Sequence, residues 1–519
     1  MSEKQTAVPR EDRVDPYSWY VLGILVLVYV LNFIDRQILS ILANDIKRDL
    51  GLSDADLGFL YGTAFAVFYA LFGIPLGRLA DSWKRVRLMT VGLGLWSLMT
   101  AASGFARNGM ALTGARIGVG VGEATASPSA YSLISDLFPQ RMRGTALAIY
   151  SSGLYLGGGL SVLFGGEIAD RWNATWPHGG PGGLVGWQAA FVLVGVPGLL
   201  LAAWVATIRE PVRGAIDGLP TPGDPQPFRG FFTELLDLTP LGALLRGPAA
   251  LGANLAIALV VAAAIWGMTL LTGAANFKQW LFVGIGVYAV YSWASAIRAR
   301  DLPTFKLIWG TPAFLCSTLG YGMVSFTSYA ASYWGAPYAE RHFGIAKGAI
   351  GWTIGAPGAL AGFIGVIAGG RLADALQARL PTGRLWVVLI GLLTPVLPLI
   401  GAYRADTFTT FVVLSFVAVV CSSSALGAAA AASQALVLPR MRGTATATFF
   451  LATTLVGLAL GPFMAGYVSS ISEDDLSRGV LSTLVAVPIG AILLVFALRL
   501  FPQAARTIED RARLAGEAI

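Results

Sequence analysis

The chain has 519 residues, of which 55% are hydrophobic and only 13% are charged, and its mean hydropathy is +0.67. Soluble domains carry about 25% charged residues, so this chain lacks the polar surface that a water-soluble protein needs. A net charge of +7 is also typical of nucleic-acid-binding proteins, but here the basic residues fall mostly in alternate loops, as in membrane proteins. An integral membrane protein without a nucleic-acid partner is therefore predicted.

Apolar runs of about 20 residues recur along the whole chain and predict fourteen membrane-spanning helices. The first run continues into further spans and lacks a small-residue cleavage site, so it is not interpreted as a signal peptide. The first set of spans lies at 19–43, 55–79, 87–105, 110–135, 143–166 and 187–207. An extra pair lies at 249–272 and 279–297, and the second set at 308–335, 348–374, 385–403, 407–436, 442–469 and 478–501.

The distribution of Lys and Arg among the loops predicts that both termini are cytoplasmic. Alternate loops are basic, and the loops between them carry acids such as Asp45, Asp54 and Asp56. This sign pattern requires the extra pair to form a hairpin that returns to the cytoplasm. The predicted domains are a first six-helix half (1–208), a linker with the inserted hairpin (209–304), a second six-helix half (305–501) and a cytoplasmic tail helix (502–519).

Two short strings occur twice, in the same order, and indicate an internal repeat. G-R-L-A-D stands at 77–81 and again at 370–374, and R-M-R-G-T-A at 141–146 and again at 440–445. Each copy lies at a predicted cytoplasmic helix end of its half. Two parallel halves of six helices are typical of secondary transporters that are built from repeats.

These motifs resemble those of the major facilitator superfamily. The stretch from Gly77 to Arg87 is similar to the family signature between the second and third spans, although Lys84 replaces a usual glycine. The stretch from Leu112 to Ala124 resembles the fourth-span signature with its embedded arginine. Within the superfamily, the spinster lipid transporters are the most similar, on N-F-I-D-R-Q at 32–37, G-V-G-E-A at 120–124 and Trp96-Ser97.

Four ionisable residues are predicted near the middle of the membrane, and all belong to the first and fourth spans: Asp35, Arg36, Arg116 and Glu123. A charge in a bilayer core costs at least about 2.5–3.5 kcal/mol, so such residues are usually functional. At 1.5 Å per residue, Asp35 lies about 12 Å and Arg116 about 9 Å below the outer surface. We therefore predict an ion pair between Asp35 and Arg116, and Glu123 lies deeper on nearly the same face.

The chemistry expected of this group is proton coupling by Asp35 and Glu123. Protonation of a carboxylate would free Arg36 or Arg116 to attract an anionic headgroup, because a guanidinium matches phosphate in bidentate geometry. Asn32 shares a helix face with the first-span charges. The alternative is a structural ion network that only holds the two spans together.

A substrate that is partly charged and partly apolar is expected, because the second half supplies only hydroxyl and aromatic groups. The predicted substrate-binding residues are Asn32, Arg36, Arg116, Tyr329, Phe326 and Phe449. The spinster resemblance implies the same substrate class, a lysolipid or sphingoid phosphate. Ordinary helix packing is the alternative interpretation of each aromatic residue.

The resemblance implies a gating role for charges at the predicted cytoplasmic helix ends, which in the family hold the two halves together in the outward-open state. The residues concerned are Arg78, Asp81, Arg141, Arg371 and Asp374. For Lys84, Arg85 and Arg87, a role in fixing topology alone is an equal alternative.

Three functional classes are compatible with these features. The first is a proton-coupled transporter of a lipid or another amphiphile, the second is a drug or organic-anion exporter of the same fold, and the third is a membrane protein that transports nothing. An enzyme is disfavoured, because the two cysteines and two histidines form no catalytic or metal motif. We expect a monomer in a cell membrane, with no metal or cofactor and with protons, membrane lipid and a small amphiphile as partners.

Overall fold

The structure, a computed structural model, describes residues 14–217 and 224–518, and these ranges contain helices and no β-strand. Residues 1–13 of the predicted cytoplasmic N-terminus, residues 218–223 of the predicted linker and Ile519 of the predicted tail lie outside the described residues.

The helices follow the predicted order. The first half contains α1 (Pro16–Leu50), α2 (Asp54–Ser82), α3 (Arg85–Ser103), α4 (Gly109–Glu123 and Ala126–Leu137), α5 (Gln140–Thr175) and α6 (Gly186–Val205). The middle contains α7 (Pro227–Asp237), α8 (Pro248–Thr272) and α9 (Ala274–Arg300). The second half contains α10 (Pro312–Phe343), α11 (Lys347–Gln377), α12 (Gly383–Ala402), α13 (Phe408–Gln434), α14 (Pro439–Ile471) and α15 (Leu476–Arg506), before the tail helix α16 (Ile508–Leu514).

The prediction of an all-α membrane protein is confirmed. Twelve described helices are long and apolar enough to cross a membrane, and α10 with the short helix Leu302–Ile308, bent by 56°, makes a thirteenth. The fourteenth predicted span is α4, which is divided between Glu123 and Ala126. The Thr125 hydroxyl donates to the Gly122 carbonyl at 2.8 Å, and Pro128 in the next turn lacks a backbone N–H, so the helix is interrupted there.

Glycines set the close packing around α4. A Cβ at Gly122 would lie 2.8 Å from the main-chain nitrogen of Trp96, and one at Gly118 would lie 2.5 Å from Met99, both on α3. On the opposite side of α4, a Cβ at Gly120 would lie 2.7 Å from the Phe65 carbonyl of α2. Small residues let helices approach this closely. The alternate glycines of α4 therefore hold α2 and α3 against the charged segment of this helix.

At one end of the molecule the two halves are joined by ion pairs, and we call this end the closed face. Asp54 of the first half is buried and receives both Nη atoms of Arg341 of the second half, at 2.7 and 2.8 Å. Lys47 also lies 3.0 Å from Asp54, and Lys347 bridges Asp45 (3.2 Å) and Glu340 (2.6 Å). These bidentate and bridging contacts seal this end between the halves.

Toward the opposite end the halves separate around a cavity of about 1920 Å³, and we call this end the open face. The cavity is lined at its mouth by the ends of α2 and α14 and by the linker, including Asp81, Asp224 and Arg442. Deeper residues come from both halves.

The inserted hairpin lies on the outside of the bundle, where α9 crosses the junction of the two halves. Its apolar side packs on Val67 and Leu71 of α2 and on Leu451 of α14. Lys278, near the start of α9, pairs with Asp56 of α2 at 2.5 Å. At the open-face end, Trp293 and Arg300 bond to Glu234 of α7. In the other helix of the hairpin, α8, only 6% of the apolar segment is buried, so this helix is exposed on almost all sides.

Candidate functional site

The four predicted mid-membrane charges are all buried and come together between α1 and α4. Their relative exposures are 0% for Asp35, 6% for Arg36, 0% for Arg116 and 1% for Glu123. The long α1 and the glycine-packed segment of α4 present these residues toward each other. The structure thus forms one charged site in the first half.

The ion pair within this site joins Arg36 to Glu123, with Nη2 and Oε2 2.8 Å apart. The Arg36 guanidinium also lies over three aromatic rings, with its carbon 4.5 Å from the centre of Phe65, 4.8 Å from Phe33 and 5.0 Å from Tyr69. Cation–π contacts of this kind stabilise a desolvated guanidinium. Arg36 is therefore held on one side by a carboxylate and on the other by aromatic faces.

The predicted ion pair between Asp35 and Arg116 does not form in this conformation. Arg116 Nη1 donates instead to the main-chain carbonyl of Asp35, at 3.2 Å. Depth in the membrane fixes the position of a residue along the helix axis but not the direction of its side chain, which turns by about 100° from one residue to the next. Asp35 and Arg116 therefore lie close together, but the Asp35 carboxylate is not directed toward the guanidinium. Arg116 also lies 5.5 Å from the centre of the Phe65 ring, so both arginines contact this ring.

The Asp35 carboxylate has no hydrogen-bond partner for either oxygen among the described residues. Arg116 and Glu123 are the charged groups that act on it, and Thr100 and Trp96 of α3 are the polar side chains that act on it. The sequence marked Trp96 only as part of a family resemblance and did not indicate Thr100 at all. The only signal in the sequence was that Thr100 is a polar residue in an apolar helix, four residues after Trp96.

The cavity touches this site through Arg36 and Asn32 of α1. Opposite them, the second half lines the cavity with Tyr321, Ser325 and Tyr329. Two of the predicted substrate-binding aromatics lie in the protein interior instead. Phe449 is 1% exposed and stacks on Tyr321 with ring centres 5.3 Å apart, and Phe326 is 8% exposed. Arg116 is likewise buried behind the lining residues.

The predicted gating residues lie at helix ends of the open face. Arg78 and Asp81 line the cavity mouth, and the Asp81 carbonyl accepts a hydrogen bond from Arg213. Arg141, Arg371 and Asp374 are exposed. The halves are apart at this face, so the structure does not bring the two copies of the motif together.

Arg85, for which a role in topology alone was an alternative, is fully buried at the open face. Its guanidinium pairs with Asp136 and with Glu210 (2.9 Å) and donates to the Pro211 carbonyl (2.8 Å). These contacts join the start of α3 to the end of α4 and to the segment after α6. Arg85 therefore ties together three elements of the first half.

Arg440 of the second half forms another cluster at the same face, and this one is exposed. It pairs with Asp301 at 2.7 Å and with Glu517 beyond the tail helix. The hydrogen bond from Arg440 lowers the pKa of Asp301 to about 2 and also lowers the pKa of Glu517. Burial raises the pKa of Asp237 in the linker, despite the neighbouring Arg300 and Arg246.

A bundle of apolar helices around a cavity that is open at one face, with buried charges beside it, defines a membrane transporter. The model of the Major Facilitator Superfamily matches residues 25–339 and 318–516. The chain therefore belongs to this superfamily, and it is a transporter of the spinster type.

Three similar proteins support this assignment. An MFS-type efflux pump of Mycolicibacterium smegmatis is 27% identical over 98% of this chain and 99% of its own length. The spinster protein of Drosophila melanogaster is 24% identical over 89% of this chain and 63% of its own length. A bacterial homologue of the human lysosomal transporter spinster, solved in an inward-facing, unoccupied conformation, has a TM-score of 0.68 and 27% identity, over 96% of this chain and 98% of the other.

Proposed function

We propose that the protein is a proton-coupled transporter of an amphipathic, lipid-like substrate of the lysolipid or sphingoid phosphate class, which works by alternating access. The observation that carries this proposal is the position of Arg36, which lines the cavity and at the same time pairs with the buried Glu123. Its guanidinium can serve either the carboxylate or an anionic headgroup.

The coupling step follows from this exchange of partners. When Glu123 is ionised, it neutralises Arg36 at 2.8 Å. When Glu123 takes up a proton, Arg36 is left as a buried cation without a counter-charge, which is costly unless an anion replaces it. An anionic headgroup in the cavity supplies that anion, with bidentate geometry for a phosphate. Asp35 is the second carboxylate of the same site.

The two sides of the cavity suit an amphiphile. The first half contributes Arg36, Asn32 and Gln37, and the second half contributes Tyr321, Tyr329 and Phe450 among the apolar part of the lining. A cavity of about 1920 Å³ is large compared with pockets for drug-sized ligands, which are about 300–1,000 Å³. A headgroup near Arg36 leaves room for an acyl chain along the second half.

The orientation proposed for the molecule puts the open face in the cytoplasm, with both termini on that side and the chain acting as a monomer. Basic loops, including the one at 84–87, lie at this face, in agreement with the positive-inside rule. In the opposite conformation, the open face closes and brings together the charges proposed to gate it: Arg78, Asp81, Arg141, Arg371 and Asp374.

The test is uptake of a fluorescent lysophospholipid into proteoliposomes, with and without a pH gradient. The wild type should show gradient-dependent uptake, and Asp35→Asn and Glu123→Gln should lose the dependence on the gradient while keeping the wild-type size-exclusion profile. Full coupling in both variants would exclude the proposed proton sites. Glu509→Gln, at an exposed carboxyl group of the tail helix, is the matched control.

A second candidate is export of drugs or organic anions, which is favoured by the full-length likeness to an efflux pump. The same vesicles loaded with ethidium or carboxyfluorescein distinguish the two functions. Proton-driven dye flux without lysolipid flux would replace the first proposal by the second. Absence of flux for lipid and dyes alike would exclude both proposed substrate classes.

A further inference from the structure

The ion pairs of the closed face differ in what each partner retains when the two halves separate. Three of these pairs cross from the first half to the second: Asp54–Arg341, Asp45–Lys347 and Lys47–Asp474. All three must break when this face opens. The cost of opening therefore depends on which of the six charged groups have another partner inside their own half.

The first half supplies its own counter-charges at this face. Lys47 at the end of α1 lies 3.0 Å from Asp54 at the start of α2. Arg48 lies 3.1 Å from Asp45, one turn earlier on α1. When the halves separate, neither of the two buried carboxylates is left without a cation of its own half.

Two charged groups of the second half also lose little when the halves separate. Lys347 retains Glu340 of α10 at 2.6 Å, whereas its crossing contact with Asp45 is longer, at 3.2 Å, and Asp45 Oδ2 makes no hydrogen bond. The side chain of Asp474 is 57% exposed, so water already solvates this carboxylate before its contact with Lys47 breaks. The pairs of Lys347 and Asp474 are therefore weak reasons for the face to stay closed.

Arg341 of α10 differs from the other groups, because its partners all belong to the first half. Both of its Nη atoms donate to the carboxylate of Asp54, at 2.7 and 2.8 Å, and its Nε donates to Asn44 Oδ1 at 2.6 Å. Among the described residues, no carboxylate of the second half pairs with this guanidinium. The Ser469 hydroxyl of α14 donates to the same carboxylate at 2.7 Å, so the second half holds Asp54 from two helices. Opening of the closed face thus removes every hydrogen bond that the Arg341 side chain makes here.

We propose that the bidentate contact between Arg341 and Asp54 is the latch of the closed face, and that the other two crossing ion pairs contribute little to keeping this face closed. The inference rests on the proposed alternating access, and it does not depend on the proposed substrate or on proton coupling. A bidentate pair of a guanidinium with a fully buried carboxylate combines two charge-assisted hydrogen bonds in a fixed geometry. Rupture of this one contact therefore determines how readily the transporter leaves the conformation described here.

The experiment measures the separation of the halves at the closed face and needs no substrate. Spin labels are attached to Met110→Cys and Asp406→Cys, exposed residues at the closed-face ends of the two halves, after Cys316 and Cys421 are replaced by serine. Double electron–electron resonance then gives the ratio of molecules with a long distance between the labels to molecules with a short one. The wild type should show mainly the short distance.

Arg341→Gln should raise the ratio of long to short distances by about tenfold or more, because it removes the charge-assisted bonds to Asp54. Asp54→Asn should raise the ratio to a similar extent. Asp45→Asn and Asp474→Asn each break one of the other crossing pairs and should change the ratio by less than about threefold. Arg171→Gln is the matched control, since the side chain of this exposed arginine pairs only within its own helix among the described residues, and it should leave the ratio unchanged.

An unchanged ratio in Arg341→Gln would overturn the latch, and so would an equal shift in Asp474→Asn or in Arg171→Gln. If Arg341→Gln does not fold, Arg341→Lys decides in its place, because it retains the charge but loses the bidentate geometry and should still raise the ratio. A second pair of labels, at the exposed Arg87→Cys and Leu380→Cys, reports the open face. An open-face distance that responds to added lysophospholipid, together with an unchanged ratio in Arg341→Gln, would overturn the latch and leave alternating access intact. Constant distances at both faces in every variant, with and without the lipid, would overturn both.

Discussion

The two halves of this transporter share their helix order and two sequence motifs, but their interiors differ in charge. Among the described residues, the first half buries Asp35, Arg36, Asp45, Asp54, Arg85, Arg116 and Glu123. In the second half, the corresponding list contains Lys347 alone, at the closed face. The cavity wall of the second half carries charge only at the mouth, on Arg440 and Arg442, and consists elsewhere of aromatic, hydroxyl and aliphatic residues with some glycine and proline. The buried charge is thus concentrated in the first half, and the second half presents a neutral surface to the deeper part of the cavity.

The largest expected effect comes from breaking the charge pair of the first half. Glu123→Ala leaves Arg36 buried without a counter-charge and should lower the free energy of unfolding by about 3–5 kcal/mol. Ser332→Ala, in the second half, removes a single hydrogen bond from Gln37 and should cost less than about 1.5 kcal/mol. Thermal unfolding in detergent measures both. Equal melting temperatures for the two variants would contradict the assignment of the charged interior to one half.

The next effect compares a glycine in each half. Gly122→Ala puts a methyl group 2.8 Å from main-chain atoms of α3, and overpacking of this kind costs about 1–3 kcal/mol. Gly427→Ala of α13 meets nothing within 4 Å and should leave the melting temperature unchanged. Because Gly122 holds α3 beside the charged site, lysolipid uptake should also fall in the first variant only. Equal loss of uptake in both variants would show that the effect of Gly122→Ala does not come from its contact with α3.

A smaller effect separates two arginines that the repeat places in equivalent positions. Arg143 donates through Nε to the carbonyls of Ser135 (2.9 Å) and Phe138 (3.1 Å) and pairs with Asp217 (2.7 Å). Arg143→Gln should therefore cost about 1–2 kcal/mol of stability. Arg442 lines the cavity mouth, and no hydrogen bond or ion pair of its side chain is found among the described residues. Arg442→Gln should leave the melting temperature unchanged, and an equal loss in both variants would contradict this difference.

The smallest effect concerns pH at the tail of the second half. Arg440 lowers the pKa of Asp301 from 3.8 to about 2, so the contribution of this pair is complete above pH 3.8 and is lost as pH falls through about 2. A spin label at the exposed Leu514→Cys should keep constant mobility from pH 8 to pH 4 and become mobile only below that range. Asp301→Asn should raise its mobility at neutral pH. Release of the tail in the wild type near pH 6 would contradict this assignment.

Much of the fold could be predicted from the sequence, because apolar length and basic loops are local signals. The four buried charges could be predicted as well, since few other ionisable residues fall in the middle of a span. Their pairing could not. Asp35 and Arg36 are adjacent in the sequence. Only the rotation of α1 relative to α4 decides that the ion pair joins Arg36 to Glu123, and not Asp35 to Arg116.

The contacts between the two halves could not be predicted from the sequence either. Asp54 and Arg341 are separated by 287 residues, and each stands among other charges with no local pattern that joins them. Similarly, Phe449 and Tyr329 are both aromatic residues of apolar helices. Only the packed structure distinguishes Phe449, which stacks on Tyr321 in the interior, from Tyr329, which lines the cavity.

The attachment of the inserted hairpin has a mechanical consequence. In the described residues, the polar contacts of α9 outside the hairpin go to α2 and the linker, through Lys278, Ser292, Trp293 and Arg300. Its contacts with α14 are apolar: Leu455 lies 3.0 Å from where a Cβ on Gly286 would stand, and Trp280 meets Phe463 with ring centres 5.7 Å apart. Apolar surfaces have no directional bonds to break. When the two halves rotate relative to each other, the hairpin is therefore expected to move as one body with the first half, while α14 slides along the apolar surface of α9.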